Sequence, residues 1–164
     1  MTNLSKLIIM TAALSLAACS NSARFGNDAG AASSASAAAG DPSSPVYFQE
    51  AVGDRVLFEV DQSTLTSSAR ATLDQQAEWL MTNSDYNAVI EGHADERGTR
   101  EYNLALGARR ANSVQEYLVS QGVAASRLEI VSYGKERPIE ICSEESCYSR
   151  NRRAVTVISA GPTS

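Results

Sequence analysis

Between residues 55 and 159 the hydrophobic positions switch between two periods. Arg55-Val56-Leu57-Phe58-Glu59-Val60 is a short β-type run, closed by the turn residues Asp61-Gln62-Ser63. From about Thr66 to Met81 the period lengthens, with Leu73, Ala77 and Leu80 at i, i+4 and i+7, which predicts a helix with one buried stripe. Asn83-Ser84-Asp85 ends it. Asn87 to His93 returns to strand character, with Val89 and Ile90 on opposite faces. A second helix is predicted from Arg100 to Ser120, with Thr99 placed to cap its start and Gly122 just beyond its end. Leu128 to Tyr133 reads as a third strand ended by Gly134, and Arg153 to Ser159, rich in Val, Thr and Ile, as a fourth.

The resulting order, β-α-β-α-β-β, has helical crossovers between the first three strands. It predicts an α/β (α+β) sandwich: one mixed four-stranded sheet with the helices packed on one face. The stretch 46–164, roughly 120 residues, is enough for one compact domain with a single core and not for two.

The chain before it has a different character. Residues 1–18 hold Lys6 and then an apolar run from Leu7 to Ala18 broken by Thr11 and Ser15. About twelve residues is too short to span a bilayer but suits the hydrophobic part of an export signal. Leu16-Ala17-Ala18-Cys19 resembles the bacterial lipoprotein signal, in which the cysteine is lipidated and becomes the new N-terminus. An ordinary signal with a chance cysteine is the alternative. Ser20, where some lipoproteins carry Asp, favours the outer membrane by resemblance to enterobacterial sorting. Acyl chains contribute about 0.8 kcal/mol per buried methylene, so several chains anchor a protein firmly without spanning. Residues 19–45, dominated by Ala, Ser and Gly, bury too little to offset their ordering entropy and read as a tether.

Charge narrows the partners. There are 14 basic and 19 acidic residues, a net charge of −5, and the part from Val46 onward carries that same excess. This argues against nucleic acid as a partner. Of three cysteines, Cys19 is assigned to lipid, and Cys142 and Cys147 are expected to form one short disulfide. A redox switch would have been better supported by a CxxC pair.

The densest chemistry lies between Ile90 and Leu118. On a helical wheel Leu104, Ala108, Ala111 and Leu118 fall within an arc of about 80°, the expected buried stripe. Arg109 projects about 140° from its centre, towards solvent, and Arg110 about 120° to the other side. Arg110 thus shares an edge with Asn103, Leu106 and Gly107, and Thr99 lies on that side at the loop junction. The expectation is a groove beside the charged loop, with Gly107 letting a ligand approach the backbone. The residues alone leave two readings of Asp95 and Arg110. One is a simple ion pair closing the loop onto the helix; the other is a site gripping both ends of a zwitterion.

Other chemistry is weak. His93 is the single histidine, so no His-His metal site can form, and it is expected to make a local hydrogen bond. No metal or cofactor is predicted. Glu91, Asp95 and Glu96 could suggest a glycosidase-like pair, but no nucleophile and base accompany them. No catalytic residue is assigned.

The run Gly92-His93-Ala94-Asp95-Glu96-Arg97-Gly98-Thr99, with Glu101-Tyr102-Asn103 and Leu106-Gly107-Ala108-Arg109-Arg110-Ala111, resembles the peptidoglycan-associated lipoproteins. These fall within the wider family sharing the C-terminal domain of outer-membrane protein A. Val131-Ser132-Tyr133-Gly134-Lys135-Glu136 and Asn151-Arg152-Arg153-Ala154-Val155 continue the likeness, which runs from about Val56 to Ile158. The resemblance implies non-covalent binding of the peptidoglycan peptide stem through meso-diaminopimelate. Asp95 would receive its ammonium and Arg110 its carboxylate, while Asn103, Leu106 and the Val60-Asp61 turn would line the groove. Val60 stands where relatives commonly have an aromatic. The resemblance further implies the Tol system, with a TolB-like periplasmic protein among its partners and roles in division and envelope integrity. A periplasmic wall hydrolase and a wall-independent partner-binding lipoprotein are the competing functions.

Overall fold

The computed structural model describes residues 40–161. The predicted signal at 1–18, the lipidation site Cys19 and most of the tether lie outside the described residues. The chain enters the domain through a short helix, α1 (Pro45–Tyr47), capped by Ser44 and continuing into a π-helical turn at Phe48–Gly53. Then follow β1 (Arg55–Leu57), α2 (Ser67–Thr82), β2 (Tyr86–His93), α3 (Arg100–Ser120), β3 (Leu128–Gly134), α4 (Glu145–Asn151) and β4 (Arg153–Ala160).

The four strands form one mixed sheet in the order β1-β4-β2-β3. β4 is antiparallel to both neighbours, pairing Val56 with Ala154 and Ile90 with Thr156, whereas β2 and β3 run parallel. The α+β architecture is the one expected from the periodicity. Three details differ. β1 ends at Leu57 rather than Val60, because the chain turns to meet two arginine side chains described below. The β3–β4 connection contains α4, a helix of polar residues with no apolar period to reveal it. The third is the orientation of α3.

Both long helices begin as the sequence indicates. Thr66 Oγ1 accepts from the amide of Ala69, and Thr99 Oγ1 from that of Tyr102, each satisfying one of the open N–H groups of a first turn. Gly122, at φ 108°, follows the C-cap of α3. The core between helices and sheet holds Leu73, Leu80, Ile90 and Leu118, all fully buried, each contributing roughly 2 kcal/mol of transfer free energy.

At the start of β2 the core is aromatic. Trp79 lies between Phe48, at 4.9 Å, and Tyr86, at 5.4 Å between ring centroids. Its Nε1–H donates to the carbonyl of Pro42 at 2.7 Å, fastening the first described residues to α2. Arg127 braces the same end by donating to the carbonyls of Leu80, Asn83 and Tyr86.

Candidate functional site

β2 is central in the sheet, and its far end runs into the loop Ala94–Thr99. Four neighbours hold that loop. Ala94 N–H donates to the Gly134 carbonyl at 2.8 Å. Lys135 Nζ donates to the Gly98 carbonyl at 2.7 Å. Asn103 Nδ2, reaching back from α3, donates to the Arg97 carbonyl at 2.7 Å. Asn151 Nδ2 donates to Glu96 Oε1 at 2.5 Å. Gly98 takes φ 87°, a conformation that a side chain would resist.

This scaffold presents Asp95, whose carboxylate is nearly buried at 8% exposure. Oδ1 accepts from the amide of Arg97 at 3.1 Å. Oδ2 accepts from Arg97 Nη2 at 2.7 Å and from Arg152 Nη1 at 3.2 Å. Burial pushes the carboxyl upward, but the Arg97 and Arg152 hydrogen bonds together outweigh it and hold Asp95 below its ordinary value. The group is an anion at neutral pH.

Arg110 lies beneath, fully buried. Nε donates to the Gln62 carbonyl at 2.8 Å, Nη1 to the His93 carbonyl at 2.8 Å and Nη2 to the Glu59 carbonyl at 3.1 Å. Its guanidinium also sits 5.2 Å over the Phe58 ring. Burial lowers its pKa to about 10, so it remains a cation. Arg152 works from the opposite side. Its Nε donates to the Phe58 carbonyl at 3.1 Å, and its Nη2 meets Glu145 Oε1. Two buried guanidinium groups therefore fasten the backbone between Phe58 and Gln62. On that turn Val60 is exposed at 45%, and Asp61 adopts φ 56° with its carboxylate accepting from Tyr102 Oη at 3.3 Å.

The residues singled out in the sequence thus meet at one end of the sheet, though not as expected. Asp95 and Arg110 form no direct ion pair; Asp95 takes Arg97 and Arg152 instead. Arg110 does not face an open groove. The buried face of α3 is Asn103, Leu106, Gly107, Arg110, Ala111, Val114 and Leu118, while Leu104 is 48% exposed. Relative to the apolar stripe the helix is turned by about 80°. The carbonyls awaiting Arg110 and Asn103 decide this, since leaving a buried polar group without a partner costs about 1–3 kcal/mol. Arg109 is exposed, as expected. Gly107 admits no ligand to the helix backbone, because strand residue Gly92 is already there.

His93 departs from expectation too. Its ring nitrogens are buried without a hydrogen-bond partner, Nε2 lying 3.5 Å from Glu91 Oε2, and the ring stacks on Tyr133 at 5.5 Å. Cys142 and Cys147 do form the disulfide, which closes a loop across the first turn of α4. Among the described residues no group of three or more His, Cys, Asp or Glu side chains could hold a metal ion. The partners of Asp95, namely Arg97, Arg152 and the Glu145 behind them, were not assigned from the sequence. An Arg-Arg pair immediately before a β-run was their one visible signal.

A sequence model of the OmpA family matches residues 57–152. The peptidoglycan-associated lipoprotein of Agrobacterium fabrum is 50% identical over 152 residues, 93% of this chain and 86% of that protein. The peptidoglycan-associated lipoprotein of Pseudomonas aeruginosa is 54% identical over 96 residues, 58% of this chain and 56% of that one. Among solved structures, the peptidoglycan-associated lipoprotein from Burkholderia pseudomallei superposes with a TM-score of 0.66 at 37% identity, covering 74% of this chain and 99% of that one. The C-terminal domain of Helicobacter pylori MotB shares the fold at a TM-score of 0.61 and 21% identity, covering 66% and 86%.

Proposed function

Since the chain belongs to the OmpA family, we propose that it is an envelope lipoprotein that binds peptidoglycan non-covalently through the meso-diaminopimelate of the peptide stem. The free end of that residue carries an ammonium and a carboxylate on one carbon. Asp95 receives the ammonium. The carboxylate is drawn to the charge of Arg110, which is fully buried, so the Glu59–Gln62 turn that it holds must shift for direct contact. Val60, Asp61 and Thr99 form the exposed rim, and Asn103 and Leu106 the buried support. A lysine stem lacks the second carboxylate and so loses the Arg110 interaction.

The observation that carries this reading is the placement of an ionised, nearly buried Asp95 beside a fully buried Arg110 at the loop end of the central strand. A carboxylate kept charged with one edge accessible is suited to receive a cation. Lipid on Cys19 would hold the protein in the outer membrane, with residues 19–45 as slack between membrane and wall and the domain facing the periplasm. In that setting the protein would serve the Tol system, with a TolB-like periplasmic protein competing for the domain. The function is one of binding, not catalysis.

The test is sedimentation of the purified full-length protein with isolated sacculi, followed by calorimetry with a tripeptide ending in meso-diaminopimelate and with its lysine counterpart. The unaltered protein sediments and prefers the diaminopimelate peptide, whereas Asp95→Asn stays in the supernatant. If Asp95→Asn sediments normally, the site is elsewhere.

A further inference from the structure

One cation in this cluster has two carboxylates within reach. Arg97 Nη2 is 2.7 Å from Asp95 Oδ2 and 3.7 Å from Glu145 Oε2. The side chain is 44% exposed, and its guanidinium lies 4.7 Å over the ring of Tyr148, on the same helix as Glu145. Glu145 is held in turn: its other oxygen engages Arg152, and it sits inside the loop closed by Cys142–Cys147.

We propose that Arg97 is a built-in competitor for the ligand's ammonium, and that Glu145 is the carboxylate to which it moves when it leaves Asp95. This rests on the diaminopimelate reading above. Asp95 Oδ2 already has two guanidinium donors, so an arriving ammonium exchanges for one rather than filling an empty acceptor. Arg152 cannot be the one that leaves, being 4% exposed and tied to the Phe58 carbonyl. Arg97 can slide about 1 Å along the Tyr148 ring and complete a contact with Glu145 that is already half made. Because one cation replaces another on Asp95, part of what the ammonium contributes is offset by the loss of Arg97, and the ligand carboxylate supplies the remainder. Arg97 thereby lowers the affinity for every ammonium by a common factor. A lysine stem, with nothing for Arg110, falls below useful binding. Arg97 is in this sense a threshold residue, and Glu145 a positioning residue acting through it.

Calorimetry on the full-length protein with the two tripeptides tests this. Arg97→Gln keeps the main-chain hydrogen bond to Asp95 Oδ1 and removes the competitor. It should bind both peptides more tightly by the same factor, about 3- to 5-fold, the scale of a half-exposed ion pair. Glu145→Gln should weaken both about 3-fold, because the displaced guanidinium has no second carboxylate. In the double variant that Glu145→Gln loss should vanish, leaving the affinities of Arg97→Gln alone. A purely structural role for Arg97 would weaken binding on substitution, and that result overturns the proposal, as does a Glu145→Gln loss that persists without Arg97. If neither peptide binds the unaltered protein or Arg97→Gln, the reading of the site fails and the competitor with it. If the unaltered protein binds and only the coupling is absent, the site stands and the competitor alone is refuted.

Discussion

Gly92 on β2 and Gly107 on α3 lie back to back, with no room for a side chain on either. A Cβ on Gly92 would stand 1.8 Å from the Gly107 carbonyl oxygen and 2.6 Å from its carbon. A Cβ on Gly107 would meet Ser132 Oγ at 2.4 Å and the Gly92 carbonyl oxygen at 2.8 Å. This contact sets how closely α3 approaches the strand, and so whether Arg110, less than one helical turn further on, can reach the His93 carbonyl. Gly92→Ala must therefore push helix and strand apart. We expect a loss of about 3 kcal/mol or more in urea unfolding, with Gly107→Ala less severe because its backbone clash, 2.8 Å to the Gly92 carbonyl oxygen, is shallower than the 1.8 Å one at Gly92. Near-normal stability of Gly92→Ala would refute the close packing.

Arg110 carries both support and charge, and substitutions separate the two. Arg110→Ala leaves the carbonyls of Glu59, Gln62 and His93 without their donor. It should cost about 3–5 kcal/mol, the range for breaking a buried charged contact. Asp95→Asn keeps the shape of the side chain and should cost about 1.5–3 kcal/mol, the range for a hydrogen bond to a charged group. Unfolding curves of the two variants, recorded together, show which is a folding defect. Lost wall binding in Asp95→Asn is then interpretable where the same loss in Arg110→Ala is not.

His93 predicts a pH dependence of stability. Burial lowers its pKa from 6.5 to about 4, aided by Arg153 and Arg137, even though the Glu91 carboxylate, which would favour the cation, lies 3.5 Å away. The unfolded chain binds a proton near pH 6.5 that the folded protein refuses until about pH 4. Stability should therefore be complete above pH 6.5 and fall by about 3 kcal/mol as pH drops to 4. The depressed carboxyl of Asp95 adds its own loss only below that window, as pH falls through its lowered pKa. His93→Phe retains a flat ring for Tyr133 and removes no side-chain hydrogen bond, so it should flatten the slope between pH 6.5 and 4. Guanidinium melts of both proteins across that range decide the matter, and an unchanged slope rejects the assignment.

The start of the domain hangs on Trp79. Trp79→Phe keeps an aromatic between Phe48 and Tyr86 but loses the 2.7 Å bond to the Pro42 carbonyl. We expect about 1 kcal/mol of destabilisation and faster amide exchange between Asp41 and Phe48, with the sheet unaffected. Protection of that segment equal to the unaltered protein would mean that the indole bond does not hold it.

What the chain determines alone is the content of its elements. Thr66 and Thr99 mark two helix starts, Gly122 marks an end, and runs such as Asn87–His93 and Arg153–Ser159 specify strands, because caps and periodicity act within a few residues. That Asp95 and Arg110 come to the same end of the sheet is also legible, from a charged loop feeding directly into a helix, although their actual partners are not. The tertiary structure alone decided which face of α3 is buried, since the carbonyls that claim Arg110 lie up to 51 positions away. It likewise brought Arg152 to Asp95 across 57 positions, and made Gly107 a partner of Gly92 rather than of a ligand. Buried guanidinium groups satisfied by distant backbone leave no local pattern, because the groups that make burial tolerable come from elsewhere in the chain.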